Sequence, residues 1–191
     1  QSIFNVNGDF LSNDLKTSNI SHFTSNLIIG NVRVSYLRKV IDSSKPFQLY
    51  LGGEYQTNVN YINYHDQDAF SFMIGHSLNL NTGLRYKFNE KSSINWKLSI
   101  PLVTLMVRPP YNSMDEQLQE NLKKPLKLLT NGEWVTVNKY QSIDLSIRYN
   151  YQISTRFDLN LKYEVLFQNL TDVNRVVHIQ HQIKTGATYI L

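Results

Sequence analysis

Residues 47–61 read Phe-Gln-Leu-Tyr-Leu-Gly-Gly-Glu-Tyr-Gln-Thr-Asn-Val-Asn-Tyr. The odd positions Phe47, Leu49, Leu51, Gly53, Tyr55, Thr57, Val59 and Tyr61 form a largely apolar row. The even positions include Gln48, Glu54, Gln56, Asn58 and Asn60. Side chains of an extended chain alternate between opposite faces, so the segment predicts a strand with one apolar and one polar face. It runs far beyond the roughly 5–6 residues usual for a globular strand.

The same alternation recurs along the chain. Phe70, Phe72, Ile74, Leu78, Leu80, Leu84, Tyr86 and Phe88 oppose Ser71, Gly75, Ser77, Asn79, Asn81, Arg85 and Lys87. Ile94, Trp96, Leu98, Ile100, Leu102 and Met106 make a further apolar row, and Ile143, Leu145, Ile147, Tyr149 and Tyr151 another, opposite Ser142, Asp144, Ser146 and Arg148. Phe157, Leu159, Leu161, Tyr163, Val165 and Phe167 oppose Asp158, Asn160, Lys162 and Glu164. Val177, Ile179, Ile183 and Tyr189 oppose Gln180, Gln182, Lys184 and Thr188. Near the start, Ile28, Val32, Val34 and Tyr36 oppose Asn31, Arg33 and Ser35, and a weaker strand is predicted over Ile3–Phe10.

Long two-faced strands of this kind suit a barrel that shows lipid to one side of its wall and a polar lumen to the other. The predicted fold is all-β: an eight-stranded antiparallel up-and-down transmembrane β-barrel forming a single domain over residues 1–191. Short turns are predicted near Asp42–Lys45, Asn89–Lys91 and Ser154–Thr155, on the periplasmic side with both termini. Longer extracellular loops are predicted around Leu11–Ile20, Asn63–Asp68, Arg108–Glu133 and, more modestly, Asn169–Asn174. Tyr36, Tyr86, Phe88, Trp96, Tyr149, Tyr151 and Phe157 flank the short turns, while Tyr55, Tyr61, Phe70 and Phe167 approach the loops, as two interfacial aromatic girdles would. The longest nearly apolar run, Leu98–Val107, is about half of the ~20 residues of a membrane-spanning helix and contains Pro101. A net charge of +4 with scattered cations gives no nucleic-acid footprint, and the absence of Cys excludes disulfides and thiolate metal sites. The start at Gln1, without a basic and apolar leader, is read as a mature exported chain whose signal peptide has been removed.

The last residues, Lys184, Gly186, Tyr189 and Leu191, resemble the C-terminal assembly signal of bacterial outer-membrane barrels, although Leu191 stands where that family usually has an aromatic. The layout resembles the small OmpA, OmpX and OmpW class. That resemblance implies the outer membrane of a Gram-negative bacterium, lipid and lipopolysaccharide around the wall, and the barrel-assembly machinery as a partner during biogenesis. The competing fold is a soluble lipocalin-like barrel, with the same alternation turned inside out around a ligand cavity.

In the outer-membrane fold, Arg33, Glu54, Arg85, Lys97, Asp144, Arg148, Lys162, Glu164 and Lys184 point into the lumen. Buried charges persist when paired, so an interlocked ion-pair core is predicted. A narrow anion-favouring pore is the competing reading, because cations outnumber carboxylates in this set. Between Arg108 and Glu133, Ser113 and Glu116 have capping-box spacing, and Leu118, Leu122 and Leu126 recur at helical intervals. A short amphipathic helix is predicted there, docking on the rim or on another protein.

An enzyme is not predicted. Some small outer-membrane barrels modify lipid A with a His and a Ser presented together, but the neighbours His76 and Ser77 face opposite sides of a strand. His22-Phe23-Thr24-Ser25-Asn26 departs by one residue from the His-x-Ser-Asn motif of lipid A deacylases. His178 and His181 also fall on opposite faces, and His65 sits beside Asp66 in a loop, so neither a metal nor another cofactor is predicted. By elimination the expected role is structural or accessory, as a subunit of a larger outer-membrane complex with other outer-membrane proteins. Transport of small or hydrophobic molecules through the barrel or a lateral opening is the alternative.

Overall fold

Each long alternating segment is a strand in the computed structural model, which describes residues 2–16, 24–41, 46–64, 69–108, 132–171 and 175–189. The strands are β1 (Ser2–Lys16), β2 (Thr24–Lys39), β3 (Phe47–Tyr64), β4 (Ala69–Lys87), β5 (Ser92–Val107), β6 (Glu133–Thr136), β7 (Tyr140–Ser154), β8 (Phe157–Leu170) and β9 (Val176–Tyr189). All pairings are antiparallel, in the order β1-β2-β3-β4-β5-β7-β8-β9, with the short β6 paired to the far end of β5. There is no helix among the described residues. The helix predicted over Ser113, Glu116, Leu118, Leu122 and Leu126 lies outside them.

The eight long strands curl into a half-barrel. Arg33 on β2 meets Asp144 on β7 at 2.6 Å, so the sheet turns back toward itself across its concave face. The predicted closed barrel is corrected in one respect: no backbone ladder joins β1 to β9 among the described residues. Closure by hydrogen bonds requires two backbones about 4.8 Å apart. Here the edges are tied by side chains instead, Lys184 Nζ to Asp9 Oδ1 at 2.6 Å.

The alternation sorts the faces as predicted. Asn31, Ser35, Glu54, Asn79, Asn81, Ser99 and Ser146 are buried on the concave side, while Val32, Leu78, Leu80, Leu161 and Ile183 are exposed on the convex side. This is the opposite of a lipocalin-like arrangement, in which the apolar rows would enclose the cavity. A small apolar cluster of Met106, Val135, Tyr140 and Leu170, with Met73 and Val176 against it, fills the concave side at the end near the 108–132 stretch.

Three expectations are corrected. The first strand, predicted as weak over Ile3–Phe10, is fifteen residues long and pairs with β2 along its whole length. Strands also continue into stretches predicted as loops, β1 to Lys16, β3 to Tyr64 and β8 to Leu170, because a backbone ladder needs no side-chain alternation to propagate. Met106 leaves the outward apolar row. Val103 pairs with Leu78 and Pro101 with Asn79, so Leu102 is a bulge residue that moves every later β5 side chain to the other face.

The turn after β4 has a sequence-encoded cause. The Asn89 side-chain oxygen accepts hydrogen bonds from the Lys91 and Ser92 amides at 2.9 and 2.8 Å, an Asx turn that reverses the chain at once. Beside it, Tyr86 packs between Phe47 and Phe88 at centroid distances of 4.7 and 5.0 Å.

Candidate functional site

The polar concave face is where the structure gathers its charge. Glu54, 3% exposed, is its most heavily partnered carboxylate. Register places Glu54 opposite Asn79 and Asn81 opposite Ser99, so donors from β4 and β5 converge on it. Ser99 Oγ donates to Oε1 at 2.9 Å, Asn81 Nδ2 to Oε2 at 3.2 Å, and Lys97 forms an ion pair with Oε2. Asn79 Nδ2 donates to Gln56 Oε1 at 2.9 Å, and Gln56 Nε2 to Asn31 Oδ1 at 3.3 Å, which carries the network on to β2. One layer nearer the apolar cluster, the hydroxyls of Ser77 and Thr104 lie 2.8 Å apart.

A second network crosses the concavity. Arg33 pairs with Asp144 at 2.6 Å and approaches Glu164 at 3.6 Å. Glu164 is also paired with Lys162 and, at 2.7 Å, with Lys184, whose Nζ reaches Asp9 as well. Five strands, β1, β2, β7, β8 and β9, are thereby linked through charges largely withdrawn from water. Such pairs hold because each charge has a countercharge, and removing one partner strands the other.

Arg85 and Arg148 line the same concave face but form no ion pair among the described residues, and Arg85 Nε is buried without a hydrogen-bond partner. The lumen charges read from the sequence therefore separate into the Glu54–Lys97 group, the Arg33–Asp144–Glu164–Lys162–Lys184 group, and two guanidiniums outside both. Asp9 went unnamed in the sequence, although Asn5, Asn7 and Asp9 alternate with Phe4, Val6 and Phe10 and so mark an inward polar row. Tyr50 went unnamed too. It is 3% exposed inside the polar row, where Gly83, its cross-strand partner, leaves room beside it.

Of the assembly-signal residues, Lys184 lies in the network, Gly186 faces Asn160 across the β8–β9 ladder and Tyr189 is exposed. Leu191 lies outside the described residues. His76 and Ser77 do face opposite ways. Ser77 is buried, while His76 Nδ1 lies 3.0 Å from Tyr55 Oη and 3.1 Å from Thr57 Oγ1 on the outer side. His181 Nδ1 lies 2.8 Å from Tyr163 Oη on the outer side, away from His178. His22 and His65 lie outside the described residues, among which no cluster of three or more potential metal ligands occurs.

A cavity of about 510 Å³ opens between β1 and β9, lined by Phe10, Leu11, Ile29, Leu166 and the charged Asp9 and Lys184. The concave face can thus neutralise charge, hold its strands in register and admit solvent at the seam. Comparison with known protein families, with curated proteins and with solved structures finds no match to this chain.

Proposed function

We propose that this protein is a non-enzymatic outer-membrane β-barrel with a structural or accessory role, working as a subunit of a larger outer-membrane assembly. The observation that carries the membrane part is the apolar convex surface. Val32, Leu78, Leu80, Leu145, Leu161 and Ile183 are all exposed there, far more apolar area in one place than soluble monomers usually show. Against lipid the same rows are matched to their surroundings.

The assembly part rests on the edges. β1 and β9, fifteen and fourteen residues long, present backbone donors and acceptors that no strand of the described chain satisfies. In hydrocarbon each such group costs several kcal/mol, so a strand from elsewhere is the natural complement. Extraction in mild detergent followed by blue-native electrophoresis tests both parts. The expected result is a detergent-dependent species larger than the single chain. Monodispersity in buffer without detergent overturns the membrane reading, and a detergent-solubilised monomer overturns the assembly reading.

A second reading, passage of a small hydrophobic molecule through a lateral opening, is favoured by the seam cavity, where Phe10, Leu11 and Leu166 line the gap beside charged groups. Uptake of a fluorescent fatty acid by vesicles carrying the protein is expected under it. Uptake equal to that of empty vesicles counts against it.

A further inference from the structure

Arg85, Asn95, Arg148, Lys162 and Lys184 are successive cross-strand partners from β4 to β9, so they form one belt around the concave face near the short turns. Lys97 stands one step above, opposite Ser146. All three of these lysines are answered: Lys97 by Glu54, Lys162 by Glu164, Lys184 by Glu164 and Asp9. The two guanidiniums are not answered by any carboxylate among the described residues. Asp158 lies four residues along β8 from Lys162, about 13 Å of strand away.

Arg85, Lys97, Arg148 and Lys162 line one cavity of about 220 Å³, with Asn5 and Asn7 of β1 among its other walls and no acidic residue in its lining. That volume equals roughly seven waters. Arg148 and Lys162 are directly paired across strands, and like charges in that relation repel. Arg85 Nε is withdrawn from water with no hydrogen-bond partner, which is costly, and Arg148 beside it is half-buried. An oxyanion in the cavity relieves both effects. Its oxygens accept from the two planar guanidinium forks in the geometry arginine provides for phosphate, and the Asn5 and Asn7 amides supply further donors. Two uncompensated guanidiniums match a dianion better than a halide.

We propose that this belt is a binding site for a small soluble oxyanion of the phosphate class, either inorganic phosphate or the phosphate group of a small solute. The site lies on the concave face and does not depend on what covers the convex one. The full chain, folded in nonionic detergent at low ionic strength, is titrated with inorganic phosphate by calorimetry, with chloride as the control. Saturable one-to-one phosphate binding is expected. Each of Arg85→Gln and Arg148→Gln should weaken it by roughly tenfold or more, the loss of one charge-assisted contact. Arg156→Gln, in the exposed turn after β7, should leave it unchanged. Where a Gln variant loses the strand signature in circular dichroism, Arg85→Lys and Arg148→Lys serve instead, keeping the charge while removing the fork, and weaker binding is again expected. No saturable binding below about 10 mM phosphate, equal binding by chloride, or affinity unchanged in the folded Arg variants overturns the proposal.

Discussion

Glu54 accepts from Ser99 and Asn81 and is the one carboxylate in ion-pair contact with Lys97 among the described residues. Truncating it leaves an ammonium and several amide and hydroxyl donors facing a hole. Glu54→Ala is therefore expected to destabilise the fold by about 3–5 kcal/mol. Glu54→Gln combined with Lys97→Met removes both charges, keeps an acceptor for the donors and should recover most of that loss. Urea unfolding in lipid vesicles, followed by tryptophan fluorescence, measures both; a double variant no more stable than Glu54→Ala would show that the pair's charge is not what matters. Two residues away, Gly52 is fixed by steric contact. A Cβ there would stand 1.8 Å from the Tyr36 carbonyl oxygen on the neighbouring strand, and backbone cannot step aside as a flexible side chain does. Gly52→Ala should cost about 1–3 kcal/mol in the same assay, through displaced backbone. Gly53, with no atom nearer than 3.9 Å to its Cβ position, should accept Ala with little change.

At the level of strands, β5 shows where alternation is informative and where it stops. From Ile94 to Ile100 side-chain parity alone tells the inner row from the outer one, because a flat ladder turns every second residue to the same side. The bulge at Leu102 is invisible in that pattern. Leu102, Val103, Leu105, Met106 and Val107 are all apolar, and Thr104 alone interrupts the outer-row parity, too little to mark a change of face; Met106 keeps that parity while packing inside against Val135, Tyr140 and Leu170. Met106→Ala is expected to cost about 2 kcal/mol or more, the penalty of emptying a packed site. An exposed outer-row position such as Leu102 should tolerate Ala with a smaller loss, and equal losses would return Met106 to the outer row. The charged site divides in the same way. Which charges face inward was legible from parity. Which of them pair was not, since pairing depends on sheet curvature: Arg33 and Asp144 are distant in sequence and on non-adjacent strands, and only the curl brings them to 2.6 Å. Likewise β6 is too short for alternation to mark it and is held by its ladder to β5 and by Val135 beneath it.

For the whole molecule, the seam between β1 and β9 decides how the half-barrel behaves. Among the described residues each edge strand is hydrogen-bonded along one side only, and what joins the two edges directly is the Asp9–Lys184 ion pair, about one-third exposed on both side chains. A partly solvated pair of this kind contributes about 1 kcal/mol or less and weakens with salt. Asp9→Asn removes the tie yet leaves Lys184 paired with Glu164, so the second network stays closed. Local opening of β1 should then become more frequent by up to roughly fivefold. Amides of β3 and β4, hydrogen-bonded on both sides, should exchange as before. Hydrogen-exchange mass spectrometry on protein folded in vesicles reads this strand by strand, and raising the salt in the unmodified protein should reproduce the Asp9→Asn pattern on β1. If neither change touches β1, its outer edge is already hydrogen-bonded in the folded protein, to β9 or to a strand of another chain. Adding a β9 peptide that takes that edge separates the two, since the peptide itself keeps β1 covered: protection lost on the chain's own β9 indicates a closed ladder, and β9 unchanged indicates a partner strand.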